Sequence, residues 1–261
     1  MEIKYQRELA VLLAELRRDN LQQSGLDESL VPPTKADAYR VALLVEQELD
    51  WEVKGWKIAA TNTEMQKALR TDTPIYGRVY TQFIKQSPFS VNFDDLRSPI
   101  PEAEYQAFLG KDLPPRIEAY KISEVADAVS SLHPGLELAE CRFKYDTKFP
   151  PLEAVLSDGA GSGILVYGSP IEDWKKADIA NNEVALICNG NLRRKGTALT
   201  ALEHPLIPLT WLANELSKTG IGLKRGQIIS TGTLTGMLIP KKGETYIADF
   251  GVLGTVSGTY K

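Results

Sequence analysis

Cysteine and histidine are scarce in this chain, with two of each in 261 residues: Cys141, Cys188, His133 and His204. The cysteines lie far apart with no CxxC pair, which argues against a secreted disulfide scaffold and fits a reducing, intracellular compartment. So few histidines make a Cys/His zinc site hard to assemble. No run approaches the ~18 apolar residues of a membrane span. Residues 1–8 carry charges where a signal peptide needs an apolar stretch. A basic surplus is missing too, since 30 Lys and Arg face 34 Asp and Glu for a net charge of −4. A phosphate backbone would call for the opposite balance, so nucleic acid is not an expected partner. Internal repeats, low-complexity tracts and dividing linkers are also lacking. The expectation is a cytoplasmic protein of one functional unit, bound to neither nucleic acid nor membrane.

What is present divides by period. Leu9, Leu12, Leu13 and Leu16 fall at helical spacing. Residues 20–33, with Asn20, Gly25, Pro32 and Pro33, read as a connection. Thr34, with Asp37 three residues on, opens a second helix whose apolar stripe is Ala38, Val41, Ala42, Val45 and Leu49. Residues 1–50 are thus expected to form a helical cap on a β-rich body, 51–261. The body is expected to hold strands near 56–60, 78–83, 103–109, 136–143, 163–168, 183–188, 227–231, 245–250 and 252–259. A short helix is expected at 63–69 and a turn at 74–77. A longer helix uses Ile122, Val125, Val129 and Leu132, and another opens at Pro205. Many short strands punctuated by Gly and Pro predict an α+β fold with a rolled, barrel-like mixed sheet, not an alternating βαβ array.

Five segments hold candidate chemistry. Glu102 and Glu104 stand at i and i+2, on one face of a strand. A divalent cation with oxygen ligands would relieve their repulsion, although the spacing equally describes a wet strand face. Glu137 sits between Leu136 and Leu138, either buried and partnered or alternating outward. Lys57 is the lone charge of Gly55–Thr61 and poses the same choice. The fourth segment, Ser157–Gly163, lacks the GxGxxG order of a dinucleotide loop, and Asp158 there could simply bond backbone. Ser162 has no Ser/His/acid context visible in sequence. The fifth, Thr231-Gly232-Thr233, offers hydroxyls and amides for a carboxylate, or a polar turn. His204 reads as a helix entry.

In consistent order over roughly residues 30–260, these segments resemble the 2-keto-4-pentenoate hydratase family of the fumarylacetoacetase-like superfamily. The resemblance rests on Gly55-Trp56-Lys57-Ile58, Pro74-Ile75-Tyr76-Gly77, and Glu102-Ala103-Glu104 with Gly110-Lys111-Asp112-Leu113-Pro114. It continues through His133-Pro134-Gly135-Leu136-Glu137, Cys141-Arg142-Phe143, His204-Pro205, Trp211–Asn214, Thr231-Gly232-Thr233, Gly251 and Gly254. It implies the superfamily's β-roll over 51–261, assembled into homo-oligomers, and a Mg²⁺ or Mn²⁺ cofactor held by Glu102, Glu104 and Glu137. It further implies Lys57 and Asp158 as catalytic residues, with Tyr76, Ser162, Thr231 and Thr233 contacting substrate.

The implied activity is a lyase reaction on a small unsaturated 2-oxo or 2-hydroxy acid. Water would add to a 2-hydroxy-2,4-dienoate to give a 4-hydroxy-2-oxo acid. The alternatives are a 4-oxalocrotonate-type decarboxylase and an isomerase or cyclase of a larger enolisable substrate, with a non-catalytic partner subunit last. Two departures bear on the choice. Many hydratases of this type carry Asp where this chain has Ile75, as the decarboxylase branch does, and Gly159 and Gly161 replace polar residues.

Overall fold

The computed structural model describes residues 1–145, 149–201 and 203–261. Two helices lead, α1 (Ile3–Arg18) and α2 (Lys35–Leu49), followed by β1 (Val53–Ala59), α3 (Thr63–Leu69) and β2 (Ile75–Tyr80). Next come β3 (Ile84–Gln86), β4 (Phe89–Val91), β5 (Ile100–Leu109), α4 (Ile122–Ala128), β6 (Val129–Ala139), α5 (Leu152–Ser157) and β7 (Ile164–Tyr167). The chain closes with β8 (Val184–Cys188), β9 (Asn191–Gly196), α6 (Ala198–Ala201), α7 (Leu206–Lys218), β10 (Ile228–Ser230), β11 (Thr245–Asp249) and β12 (Thr255–Tyr260). Among the described residues, no helix is long and apolar enough to cross a membrane.

Thr34 caps α2 as its sequence suggests, its Oγ1 accepting from the Asp37 amide at 3.1 Å. Of the leucine stripe of α1, Leu9, Leu13 and Leu16 are buried and Leu12 is half-buried. The stripe packs with Val41, Val45 and Leu49 of α2 against Tyr80, Phe143 and Ala154. The helical pair therefore lies on the end of β2 and on the segment after β6.

The strands form a seven-stranded mixed sheet, β2-β1-β10-β5-β6-β7-β3, and a five-stranded one, β4-β12-β11-β8-β9. Ala103, Tyr105 and Ala107 on one face of β5 join Leu136, Leu138, Tyr246, Phe250 and Val256 in the large core. The other face, Glu102, Glu104 and Gln106, is also buried. Opposite faces of one strand are both withdrawn from water because the larger sheet curls, enclosing Val79, Leu165 and Ile228 inside the roll.

Three local expectations change. The helix expected to run through Val129 and Leu132 stops at Ala128, and Val129 is already extended at φ −77°, ψ 120°. Apolar residues three apart imitate a helix there, but Leu109 and Ala107 of β5 pair with Val129 and Leu132, and Pro134 disfavours helix at His133. The turn expected at 74–77 is strand from Ile75 on. Gly77 is required by contact instead, since a Cβ there would stand 1.8 Å from the Gly159 carbonyl oxygen. Strand β9 was not expected because Asn191–Gly196 is almost wholly polar and exposed. Its signal is the preceding Asn189-Gly190, both at positive φ, a type I′ hairpin pair. The three-residue strands β3 and β4 and the short helices α5 and α6 were missed as well, being too short for a period to register.

Candidate active site

Register places the acids. Glu102 of β5 lies directly across from Glu137 of β6, and Glu104 is two residues further on the same face. A carboxylate oxygen from each of the three lies within 4.8 Å of the others. All are buried, Glu137 completely, so the wet-face alternative is excluded for all three. Lys57 of β1 reaches the same point: its Nζ is 3.3 Å from Glu137 Oε1 and donates to the Ala160 carbonyl at 3.1 Å. Glu104 Oε2 accepts from Ser230 Oγ at 2.6 Å and from the Gly232 amide at 2.8 Å.

The electrostatics are unbalanced. Burial and then Glu137 push the Glu102 carboxyl up to about 8, while burial and the neighbouring glutamates raise Glu104 well above the carboxylate range. Burial raises Glu137 as well, against the pull of Lys57. For Lys57 burial works downward, but Glu137, Glu102 and Glu104 outweigh it and keep the ammonium charged. Fully ionised, three carboxylates against one ammonium would leave a surplus of two negative charges, which is what the raised carboxyls resist. Among the described residues neither oxygen of Glu137 receives a well-aligned hydrogen bond. An oxygen-only donor set, a twofold charge deficit and unsatisfied acceptors fit a hard divalent cation.

Lys57, Glu102 and Glu104 open onto a cleft enclosing about 610 Å³ of empty space, counting the solvent at its mouth. Its remaining walls are largely apolar and come from α3, β2, α5 and several connecting segments. They include Met65, Leu69, Ile75, Val155 and Met237, with Tyr145 and Phe149 at one side. Thr233 also lines the cleft, near enough to Glu102 to hold its carboxyl down against burial.

The other sequence candidates are placed elsewhere. Tyr76 is on the opposite side of β2 from Ile75 and stacks on Tyr39 at 4.2 Å between centroids, with Trp56 and Trp211 edge-on. Thr231 Oγ1 donates to the Tyr105 carbonyl at 3.0 Å. Ser162 Oγ donates to the Arg78 carbonyl at 2.6 Å. Asp158 accepts the Arg142 amide at 2.8 Å and pairs with Arg17 of α1 at 2.9 Å. These groups are committed within the protein and do not line the cleft. Asp158, expected as a catalytic residue, has its charge matched by Arg17 and does not line this cleft.

Arg17 was not singled out in sequence. Besides pairing with Asp158 it donates to the carbonyls of Asp158 and Ser162. It thereby fixes the turn whose Ala160 carbonyl receives Lys57. An arginine in the last turn of an amphipathic helix carries no mark distinguishing it from a solvated residue. The apolar walls were missed for a related reason, since they come from segments scattered along the chain.

No protein-family model matches the chain. It is 27% identical over 258 residues to the 2-oxo-hept-4-ene-1,7-dioate hydratase of Escherichia coli, covering 94% of this chain and 92% of that protein. It is 28% identical over 224 residues to the 2-keto-4-pentenoate hydratase of Paraburkholderia xenovorans, covering 84% and 81% respectively. The 4-oxalocrotonate decarboxylase of Pseudomonas putida G7, solved with magnesium and adipate, superposes at a TM-score of 0.91 over 100% of this chain and 99% of that one, at 23% identity. The fold is the α+β roll of fumarylacetoacetase-like proteins.

Proposed function

We propose, with the similarity to 2-keto-4-pentenoate hydratases as premise, that this chain is a divalent-cation-dependent lyase. Its reaction adds water to a 2-hydroxy-2,4-dienoate, giving a 4-hydroxy-2-oxo acid. The observation that carries the reading is the buried Glu102–Glu104–Glu137 cluster beside Lys57, at the charged end of an otherwise apolar cleft. Residues 1–50 cap the catalytic body, 51–261, and the enzyme is cytoplasmic and homo-oligomeric.

Glu102, Glu104 and Glu137 hold the cation, Mg²⁺ or Mn²⁺. When bound, such an ion supplies a Lewis acid that stabilises negative charge developing on a 2-oxo carboxylate. Ser230 and the Gly232 amide orient Glu104 by occupying one of its oxygens. Lys57 keeps a proton at Nζ under the field of the three acids, so it is available to pair with the substrate carboxylate or to donate during tautomerisation. Thr233 is the substrate-contacting hydroxyl. The apolar walls exclude bulk water and strengthen each of these interactions.

Decarboxylation of a 4-oxalocrotonate-type acid is the second reading. Ile75 favours it, because the cleft wall carries an aliphatic group that cannot move a proton where many hydratases carry Asp. The two readings separate in one experiment. The absorbance of 2-hydroxypenta-2,4-dienoate and of 4-oxalocrotonate is followed with Mg²⁺, Mn²⁺ or EDTA, and products are identified by mass. Cation-dependent gain of water supports hydration, and loss of CO₂ supports decarboxylation. Absence of both with either cation contradicts the lyase reading.

A further inference from the structure

We propose that Gln106 is a positioning residue of the cation site, its carboxamide steadying Glu137 from inside the roll. This rests on the reading of Glu102, Glu104 and Glu137 as cation ligands, and adds a neutral polar group behind them.

Register puts Gln106 beside the acids. Along β5 the residues Glu102, Glu104 and Gln106 share one face, and Gly135 of β6 pairs with Glu104. Across the sheet Gln106 pairs with Ser230 of β10, which pairs in turn with Lys57 of β1. Gln106 thus stands in one row with the two side chains that engage the acids, Ser230 at Glu104 and Lys57 at Glu137. Its own side chain lies over Gly135, where a Cβ would come 2.6 Å from Gln106 Cγ and 2.7 Å from Cδ and Nε2. Gly135 is two residues before Glu137 on the same face, a separation of about 6–7 Å. The missing Cβ lets the carboxamide lean along the sheet toward Glu137.

Gln106 is fully buried, and among the described residues neither its amide oxygen nor its nitrogen makes a hydrogen bond. Burying an amide in that way is costly unless something pairs with it. The polar neighbours in its row are engaged elsewhere. His133, its partner on β6, bonds the Gly168 carbonyl at 2.8 Å and Ser131 Oγ at 2.9 Å. Ser230 Oγ donates to Glu104. On the far side lie the apolar Phe108 and Ile228. Glu137 has acceptors to spare, since Lys57 approaches one oxygen and neither receives a well-aligned hydrogen bond. A buried donor and a buried acceptor beyond direct reach are joined by a water that has two or more polar partners. Groups that hold a metal-ligating carboxylate in this way fix its orientation and raise the affinity of the site.

The test is Mn²⁺ binding to the full chain by titration calorimetry, a readout independent of turnover. Gln106→Met removes the amide and keeps an unbranched side chain over Gly135, with Gln106→Leu as the substitute if that variant does not fold. Phe108→Leu, the next residue on the same face of β5, controls for altered packing inside the roll. Mn²⁺ is expected to bind the Gln106 variant about 10–100-fold more weakly, and Phe108→Leu as tightly as the parent. Unchanged affinity in a folded Gln106 variant overturns the proposal. Equal weakening in Phe108→Leu overturns it too, because packing alone then accounts for the loss. A parent chain that binds no Mn²⁺ contradicts the cation reading, and the proposal with it. The expected affinities in a chain that neither hydrates nor decarboxylates would support the proposal while striking the lyase reading.

Discussion

Lys57 Nζ stands 3.3 Å from Glu137 Oε1, although their strands, β1 and β6, are separated by β10 and β5 in the sheet. On a flat sheet three strand spacings amount to about 14 Å, beyond the reach of the two side chains in ordinary rotamers. The contact exists because the sheet curls. The same curl buries the second face of β5 and concentrates three acids around one ammonium. Fold and candidate chemistry thus have a common cause.

Replacing Lys57 with methionine removes the proton held at Nζ and keeps much of the side-chain volume. Turnover is expected to fall by about 10²–10⁴-fold. Binding of Mn²⁺, followed by calorimetry, should be no weaker than in the parent, because a positive neighbour has been removed from the glutamates. Weakened Mn²⁺ binding would mean that Lys57 supports the cation site instead of the reaction.

Glu102→Gln and Glu104→Gln each remove one anionic ligand at nearly constant shape. Activity is expected to drop about 100-fold or more, and the Mg²⁺ concentration for half-maximal rate to rise. Rate against Mg²⁺ concentration checks both. An unaltered curve in either variant would place the cation elsewhere.

Chelation should expose the charge imbalance as a pH dependence of stability. The Glu102 carboxyl is raised to about 8 in the folded chain from its ordinary 4.5, with Glu104 and Glu137 also raised. A raised folded pKa contributes stability that is present below 4.5 and lost as pH rises through about 8. Thermal unfolding in EDTA should therefore show a falling Tm between these values. Mg²⁺ should restore Tm most at the alkaline end. A Tm in EDTA that rises across this window would contradict the arrangement.

Arg17→Met leaves Asp158 buried without its ion partner, at an expected cost of about 3–5 kcal/mol. The double variant Arg17→Met with Asp158→Asn should recover part of that loss, because the uncompensated charge is gone. Denaturant unfolding of the four proteins gives the coupling. Additive losses would show that the pair does not hold α1 to the turn.

The glutamates were legible because acids two apart on a strand, and an acid between leucines, are unusual where burial is expected. Which face each occupied was not legible, since alternation describes Glu137 inward or outward equally well. Register across β5 and β6 decides it. Thr231 and Thr233 were read alike, yet of the two Thr233 lines the cleft, because a turn with a glycine at φ 104° sends its flanking hydroxyls to different places. Tyr76, expected at the substrate, stacks on Tyr39 while its neighbour Ile75 lines the cleft, because adjacent strand residues face opposite sides and only the curl tells which side is the cleft. Long-range partners such as Arg17 and Asp158, 141 positions apart, leave no local pattern at all.

The most direct test of the central claim is whether this cluster enolises a 2-oxo acid. Hydration and decarboxylation both pass through an enolate, formed by addition of water or by loss of CO₂, and with a saturated 2-oxo acid the same stabilisation is read as release of a C3 proton and its replacement from solvent. Incorporation of deuterium at C3 of 2-oxopentanoate in D₂O is followed by NMR with Mg²⁺, with EDTA, and with Lys57→Met. The account predicts exchange that requires Mg²⁺ and collapses in the variant. Exchange no faster than in buffer, or equally fast in EDTA, would contradict it.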